Sequence, residues 1–313
     1  MASSLTTKQS FTYLTSAAWS SKKNQLIQQN SANDNLDQIV SKRIDAGEDA
    51  LFHVSTDYGI IQGIADGVGS WGADGVDPTA FAWAMMENAA DVAKELGSAE
   101  NNPSKSMVDA GVVLTRAFEN TKAGGKVEAG SATTSILTLS NDTGILNAAV
   151  LGDSAFLIIR NSRVHYQSAS QQHQFNGPYQ LAIIPDRFYQ PGCFSDTPSE
   201  ADQSTHQLQD GDIILLATDG LYDSIFMDEI VSIVNEELSI NDGNTRNMDV
   251  EELTKSVRSL AMRLTYTARK YSVSTTGDTP YVKQYRACYH MSRWGGKVDD
   301  IALLVTLVRV NHE

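Results

Sequence analysis

The amino-acid sequence predicts an α+β fold in which antiparallel sheets are covered by helices within one domain. Strand-like runs fall in two blocks, and each block is associated with a pair of amphipathic helical stretches. Connections inside the blocks, such as Gly152-Asp153-Ser154 and Asn161-Ser162-Arg163, leave no room for crossover helices and so call for antiparallel pairing. A third observation bears on function: four β-rich runs each end in an aspartate, at Asp66, Asp153, Asp219 and Asp299.

Taken in order, residues 1–35 are polar and are expected to form a flexible N-terminal segment, with Phe11-Thr12-Tyr13-Leu14 a candidate short strand. Gly47-Glu48-Asp49 turns into a strand, and Asp57-Tyr58-Gly59 is the hairpin turn into the next, which runs to Ala65. Asp77 suits the N-cap and Pro78 the first position of a helix. Phe81, Met85, Ala89, Val92 and Leu96 share one face of it, and Gly97 ends it. A second helix is expected from about Ser104 to Asn120, then strands over Ala132 to Leu139, Leu146 to Leu151, Ala155 to Arg160 and Val164 to Gln167. Residues 168–206 show no period, carry four prolines and read as a long irregular insertion. Ile213 to Ala217 is a strand. Two helices follow, one with Phe226, Ile230, Ile233, Val234 and Leu238 on a face, the other opened by the capping pair Asp249 and Glu252. Ile301 to Val310 is the last strand.

The chain has 313 residues, 41% hydrophobic and 20% charged, enough for a sizeable core in a single domain over 36–313. A net charge of −14 argues against a nucleic-acid partner. Two cysteines, Cys193 and Cys288, with no CxxC, exclude a disulfide framework and a structural zinc site. No apolar run reaches the ~18 residues needed to span a bilayer. The first 33 residues contain no Asp or Glu, which makes them a candidate targeting region.

The strand-end aspartates carry the chemistry. Asp219 alternates with Ile213, Leu215 and Ala217, and Asp299 with Ile301, Leu303 and Val305. Both are therefore expected on the buried side of their strands, at the rim of the core. Gathered carboxylates repel one another and take up cations, and oxygen ligands without a His or Cys cluster favour Mg²⁺ or Mn²⁺ over zinc. Two such ions ~3.5–4 Å apart lower the pKa of a shared water, which can then attack a phosphorus in line. There is no Gly-x-Ser-x-Gly elbow, Cys-based phosphatase loop or Walker-type loop to supply another route. A single Asp-Gly is usually a plain turn, as Asp210-Gly211 and Asp242-Gly243 are expected to be, but four motifs in order are not.

The ordered set Gly-Glu-Asp at 47–49, Ala-Asp-Gly-Val-Gly at 65–69, Leu-Gly-Asp-Ser at 151–154, Ala-Thr-Asp-Gly-Leu-x-Asp at 217–223 and Gly-Gly-x-x-Asp-Asp-Ile at 295–301 resembles the type 2C (PPM) metal-dependent serine/threonine protein phosphatases. The resemblance covers roughly residues 40 to 310. Val68-Gly69-Ser70-Trp71, Gly75-Val76-Asp77, the stretch Gln171 to Leu181 and Ala201-Asp202 are similar to a branch of that family known largely from mitochondria of fungi and animals. The resemblance implies a four-layer α-β-β-α sandwich of two antiparallel sheets flanked by helix pairs. It also implies hydrolysis of phosphoserine and phosphothreonine in proteins by a monomer, with two Mg²⁺ or Mn²⁺ ions and a weaker third. Asp66 corresponds to the residue that bridges both ions, and Gly67 offers its carbonyl to one. Glu48 holds a water of the second ion, with Asp49 beside it. Asp219 and Asp299 bind the first ion, and Asp153, Asp219 and Asp223 match the third site. The insertion 168–206 takes the place of the family's flap.

Two positions depart from the family pattern. Val68 replaces the His that follows the bridging Asp-Gly in the main branch, so protonation of the leaving group falls to a metal-bound water or another group, with His173 a candidate. Ile44 stands where the main branch has a phosphate-gripping Arg, and neighbouring Arg43 is the candidate substitute. The alternatives to a protein phosphatase are a pseudophosphatase that binds phosphoproteins and a two-metal hydrolase of a small phosphoester. The branch resemblance favours the mitochondrial matrix, with cytoplasm the alternative.

Overall fold

The computed structural model describes residues 9–30, 35–102, 107–238 and 249–312. Eleven strands build two antiparallel sheets: β1 (Gln9–Ser20), β2 (Ile27–Gln29), β3 (Asp49–Thr56), β4 (Gly59–Asp66), β5 (Thr134–Ser140), β6 (Ile145–Leu151), β7 (Ala155–Arg160), β8 (Arg163–Gln167), β9 (Asp202–Gln207), β10 (Ile213–Ala217) and β11 (Ile301–His312). One sheet has the order β2-β1-β11-β10-β7-β8 and the other β9-β6-β5-β4-β3. The main helices are α1 (Pro78–Gly97), α2 (Ala110–Ala123), α3 (Met227–Leu238), α4 (Val250–Ser272) and α5 (Pro280–Tyr289).

Strict alternation along the strands sorts the apolar side chains into three layers of core. Leu51, Ile64, Leu137, Phe156, Ile214 and Leu304 meet between the sheets. Phe52, Ile61, Ile136 and Leu151 face outward against α1 and α2, and Leu157, Leu215, Leu303 and Val305 against α3 and α4. The result is the four-layer α-β-β-α sandwich. Asp77 accepts a hydrogen bond from Thr79 N at the start of α1, and Asp249 one from Glu252 N at the start of α4, as their positions in the sequence predict.

Three expectations are corrected. Residues 1–35 are not a flexible segment throughout: β1 pairs with β11 at twelve successive positions, from Gln9↔His312 to Ser20↔Ile301. Beyond the candidate strand at residues 11–14, its Ser- and Thr-rich sequence hides it, because the fully buried apolar side chains are limited to Phe11, Ala17, Ala18 and Trp19. The insertion ends sooner than 206, since Asp202–Gln207 is an edge strand paired with β6. That strand alternates between half-buried and exposed positions but is polar on both faces, so no hydrophobic period marks it. The helix expected from about Ser104 begins instead at Ala110, where Asp109 caps Val112 N; residues 103–106 lie outside the described residues. Helix α5 has no counterpart in the sequence reading. Among the described residues no helix is long and apolar enough to cross a membrane.

Candidate active site and metal centre

The strand ends converge at one end of the sandwich. Asp49 and Asp66 are direct cross-strand partners on β3 and β4. Each shares parity with a residue packed between the sheets, Leu51 and Ile64, so both carboxyls project into the gap. Asp300 enters from the other sheet with the parity of Ala302 and Leu304. Asp219 is placed differently from expectation. The strand stops at Ala217, Thr218 precedes a single helical turn over Asp219–Tyr222 without a side-chain capping bond, and strand parity no longer governs Asp219. Thr218 ties the two sheets: its hydroxyl donates to Asp49 Oδ2 at 2.9 Å and accepts from Ala302 N at 3.0 Å.

Close backbone approach makes the cluster tight. A Cβ on Gly67 would lie 2.6 Å from the carbonyl oxygens of Glu48 and Pro78, and one on Gly69 would lie 2.4 Å from Glu48 Oε2. A Cβ on Gly220 would lie 2.0 Å from Asp300 O. Larger residues at these positions would push the acidic segments apart.

Two lysines that the sequence reading missed stand among the acids. Lys297 Nζ is 2.5 Å from Asp219, 2.9 Å from Asp223 and 2.9 Å from Asp299. Lys22 Nζ, from the β1–β2 turn, is 2.5 Å from Glu48, 3.3 Å from Asp300 and 3.7 Å from Asp299. Burial alone would lower both ammonium pKa values, but the surrounding carboxylates outweigh it and raise them. Burial and mutual repulsion hold Asp49, Asp66 and Asp153 well above the usual carboxylate range. Asp299 is also raised, and Asp223 is pushed up to about 7 by burial and by Asp219. Burial would raise Asp219 too, yet the ammonium of Lys297 and hydrogen bonds to its neighbours bring it below its ordinary value.

The donor chemistry suits hard divalent cations, although among the described residues no three acidic side chains converge on one point and Lys22 and Lys297 stand between them. Asp49 Oδ1 and Asp219 Oδ1 are buried carboxylate oxygens without a hydrogen-bond partner among the described residues. Such oxygens are costly to leave unpaired. Among the described residues, eight carboxyl groups, from Glu48, Asp49, Asp66, Asp153, Asp219, Asp223, Asp299 and Asp300, gather around the ammonium groups of Lys22 and Lys297, with the Arg269 guanidinium also acting on Asp49, Asp299 and Asp300. An all-oxygen donor set of this charge suits Mg²⁺ or Mn²⁺.

Arg43, the candidate phosphate-binding residue, is not among the residues of this cluster. It follows the helical turn Ile39–Lys42 in a left-handed conformation, φ 44°, and its Nε lies 2.6 Å from Glu87 of α1. His173 does not reach into the site as a free acid either. Its Nε2 is 3.0 Å from both oxygens of Asp196, and its ring stacks between Tyr179 at 4.1 Å and Phe194 at 4.4 Å. It buckles the flap. The flap touches the acids through Gln172, whose amide donates to Asp153 Oδ2 at 3.1 Å. Trp71 Nε1 donates to Ser131 Oγ, which donates in turn to Gln180, so the Val68–Trp71 stretch and the flap are joined.

Comparison with known proteins agrees with this geometry. A family model described as Stage II sporulation protein E (SpoIIE) matches residues 66–270. The chain is 35% identical over 274 residues to "Protein phosphatase PTC7 homolog" from Danio rerio, covering 86% of this chain and 84% of that one. Its structure is similar to that titled "X-ray structure of the photosystem II phosphatase PBCP", with a TM-score of 0.67, 27% identity and coverage of 95% and 98% of the two chains. A more distant likeness of fold, with a TM-score of 0.51, 13% identity and coverage of 96% and 99%, is to the catalytic domain of the serine/threonine protein phosphatase PstP in complex with two manganese ions. With these relatives and this sandwich, the chain belongs to the type 2C family of metal-dependent serine/threonine protein phosphatases, among the PTC7 homologues.

Proposed function

We propose that the protein hydrolyses phosphoserine and phosphothreonine residues at the acid cluster between the sheets, using Mg²⁺ or Mn²⁺. Asp66, Asp219, Asp299 and the Gly67 carbonyl would hold the ions, and Glu48 would hold a water of one of them. Asp153 and Asp223, with Asp219, make a weaker outer position. When bound, a pair of such ions supplies a water of lowered pKa and neutralises charge on the phosphoryl oxygens. The chain's own part is to hold the carboxylates in register. Asp49 anchors Thr218, Asp300 anchors the backbone of Glu48, and the glycines let the segments close. Gln172 places the flap over Asp153.

The observation that carries the reading is the pair of orphaned buried oxygens, on Asp49 and Asp219, inside a cluster that both sheets supply. Because one chain provides every member of it, a monomer is the proposed active unit. Asp219→Asn should lower Mn²⁺-dependent kcat/KM on a phosphoserine peptide by two orders of magnitude or more, about 3 kcal/mol of barrier. Full turnover by the wild-type protein in excess chelator would refute the proposal. A mitochondrial location belongs to the same reading, supported by the branch resemblance. Import of a tagged full-length chain into isolated mitochondria tests it, and exclusion of the chain would count against it.

A further inference from the structure

Residues 280–298 are chemically unlike the rest of this acidic chain. They contain Lys283, Arg286, Arg293 and Lys297 and no Asp or Glu, in a protein of net charge −14. They form α5 and the segment after it, and the last of these cations, Lys297, already lies in the acid cluster. A cleft of about 710 Å³ runs from Asp153, Asp219 and Asp223 along α5 and is lined there by Lys283. The cleft is larger than a phosphoryl group needs. Phe226 and Met227 give it an apolar wall, and Gln284 provides an amide suited to a peptide backbone.

The cations are held in place. The Arg293 guanidinium lies 4.9 Å from the ring centres of both Tyr281 and Tyr285. Phe175 of the flap packs on the same two rings at 5.4 and 6.0 Å. Lys297 Nζ sits 5.3 Å from the same Tyr281 ring, so Arg293 and Lys297 share an aromatic neighbour. Arg286 is committed to Asp278 at 2.6 Å. Lys283 and Arg293, by contrast, have no carboxylate within ion-pair distance among the described residues.

From this geometry we infer that the α5 cleft seats the polypeptide around the phosphorylated residue, and that it selects phosphoprotein substrates with acidic residues beside the phosphosite. The inference rests on the phosphatase reading above and adds the substrate class to it. Lys283, without a carboxylate partner in a cleft that ends at the reacting centre, discriminates by charge complementarity. A flat basic and aromatic surface would suit an anionic membrane, but Lys283 lines a concave site continuous with the acids.

The test uses the full chain with Mn²⁺ and two phosphoserine peptides of one core sequence, flanked by Glu or by Lys. The wild-type kcat/KM should favour the acidic peptide by about threefold or more, the scale of one or two exposed ion pairs. The preference should shrink in high salt. Lys283 is exposed, so Lys283→Glu should fold and should abolish or invert the ratio, while Lys283→Arg should keep it. A wild-type ratio of one or less, or a ratio unchanged in Lys283→Glu, would overturn the inference. So would binding to phosphatidylserine vesicles that depends on Lys283 when the peptides show no preference. Wild-type turnover of para-nitrophenyl phosphate separates the two failures. With turnover but no peptide preference, only the substrate inference falls; without turnover, the phosphatase reading falls.

Discussion

Asp300 shows how single residues set the geometry of the centre. One of its oxygens accepts from Lys22 N at 2.6 Å and the other from Glu48 N at 3.0 Å, so it fastens the β1–β2 turn and the turn before β3 to the start of β11. It leaves no space at Gly47, where φ is +74° and a Cβ would lie 1.9 Å from Oδ1. Gly47→Ala should therefore destabilise the fold by about 2 kcal/mol or more, combining left-handed strain with displacement of Asp300. Gly192→Ala is the control, since Gly192 also has a positive φ, +94°, but nothing lies near its Cβ position. Urea unfolding in chelator measures both, and equal losses would remove the steric argument. Asp66, Asp153, Asp219 and Asp299 were legible in the sequence because each ends a strand-like run, Glu48 and Asp223 only through the family resemblance, and Asp300 was not assigned to the centre. The cations were not legible. Nothing in the run pattern marks Lys22 or Lys297, and Arg43 could be misplaced because an offset along the chain does not show that a left-handed turn sends its side chain to Glu87.

Among the elements, β1 carries more than its composition suggests. It lies between β2 and β11 in the six-stranded sheet, and Arg269 of α4 donates to Ser20 O at 2.7 Å and to Ser20 Oγ at 3.0 Å. Its removal would strip β11 of its ladder on one side and withdraw Lys22 from the acids. Deletion of residues 1–20 should yield a chain that fails to melt cooperatively, whereas deletion of residues 1–8 alone should leave cooperative melting intact. Calorimetry decides this, and a cooperative transition in the longer deletion would show the strand to be dispensable. Strands with an apolar face, such as β4, β6 and β10, were readable from alternation. β9 and α5 were not, and β1 only at its residues 11–14, because their places are fixed by pairing with distant partners or by aromatic packing on the flap rather than by a local hydrophobic period.

For the molecule as a whole, the centre exists only when the sheets are stacked. β3 and β4 bring Asp49 and Asp66, the β6–β7 turn brings Asp153, and the other sheet brings Asp219, Asp299 and Asp300. Folding drives these carboxyls together, and their raised pKa values express the cost. A cation that binds only the folded chain offsets that cost by mass action, about 2.7 kcal/mol at a hundredfold excess over Kd. The wild-type protein should consequently melt a few degrees higher with Mn²⁺ than with chelator, since each kcal/mol is worth about 2–4 °C in chains of roughly this size. Asp66→Asn separates repulsion from ordinary packing. Removing one buried negative charge should raise the melting temperature in chelator while shrinking the gain from Mn²⁺, the pattern of a residue kept for function at a cost in stability. Differential scanning calorimetry of both proteins, with and without Mn²⁺, measures the four temperatures. If Asp66→Asn melted lower than wild type in chelator and kept the full gain from Mn²⁺, Asp66 would be a packing residue and the cation-binding role assigned to it would be wrong.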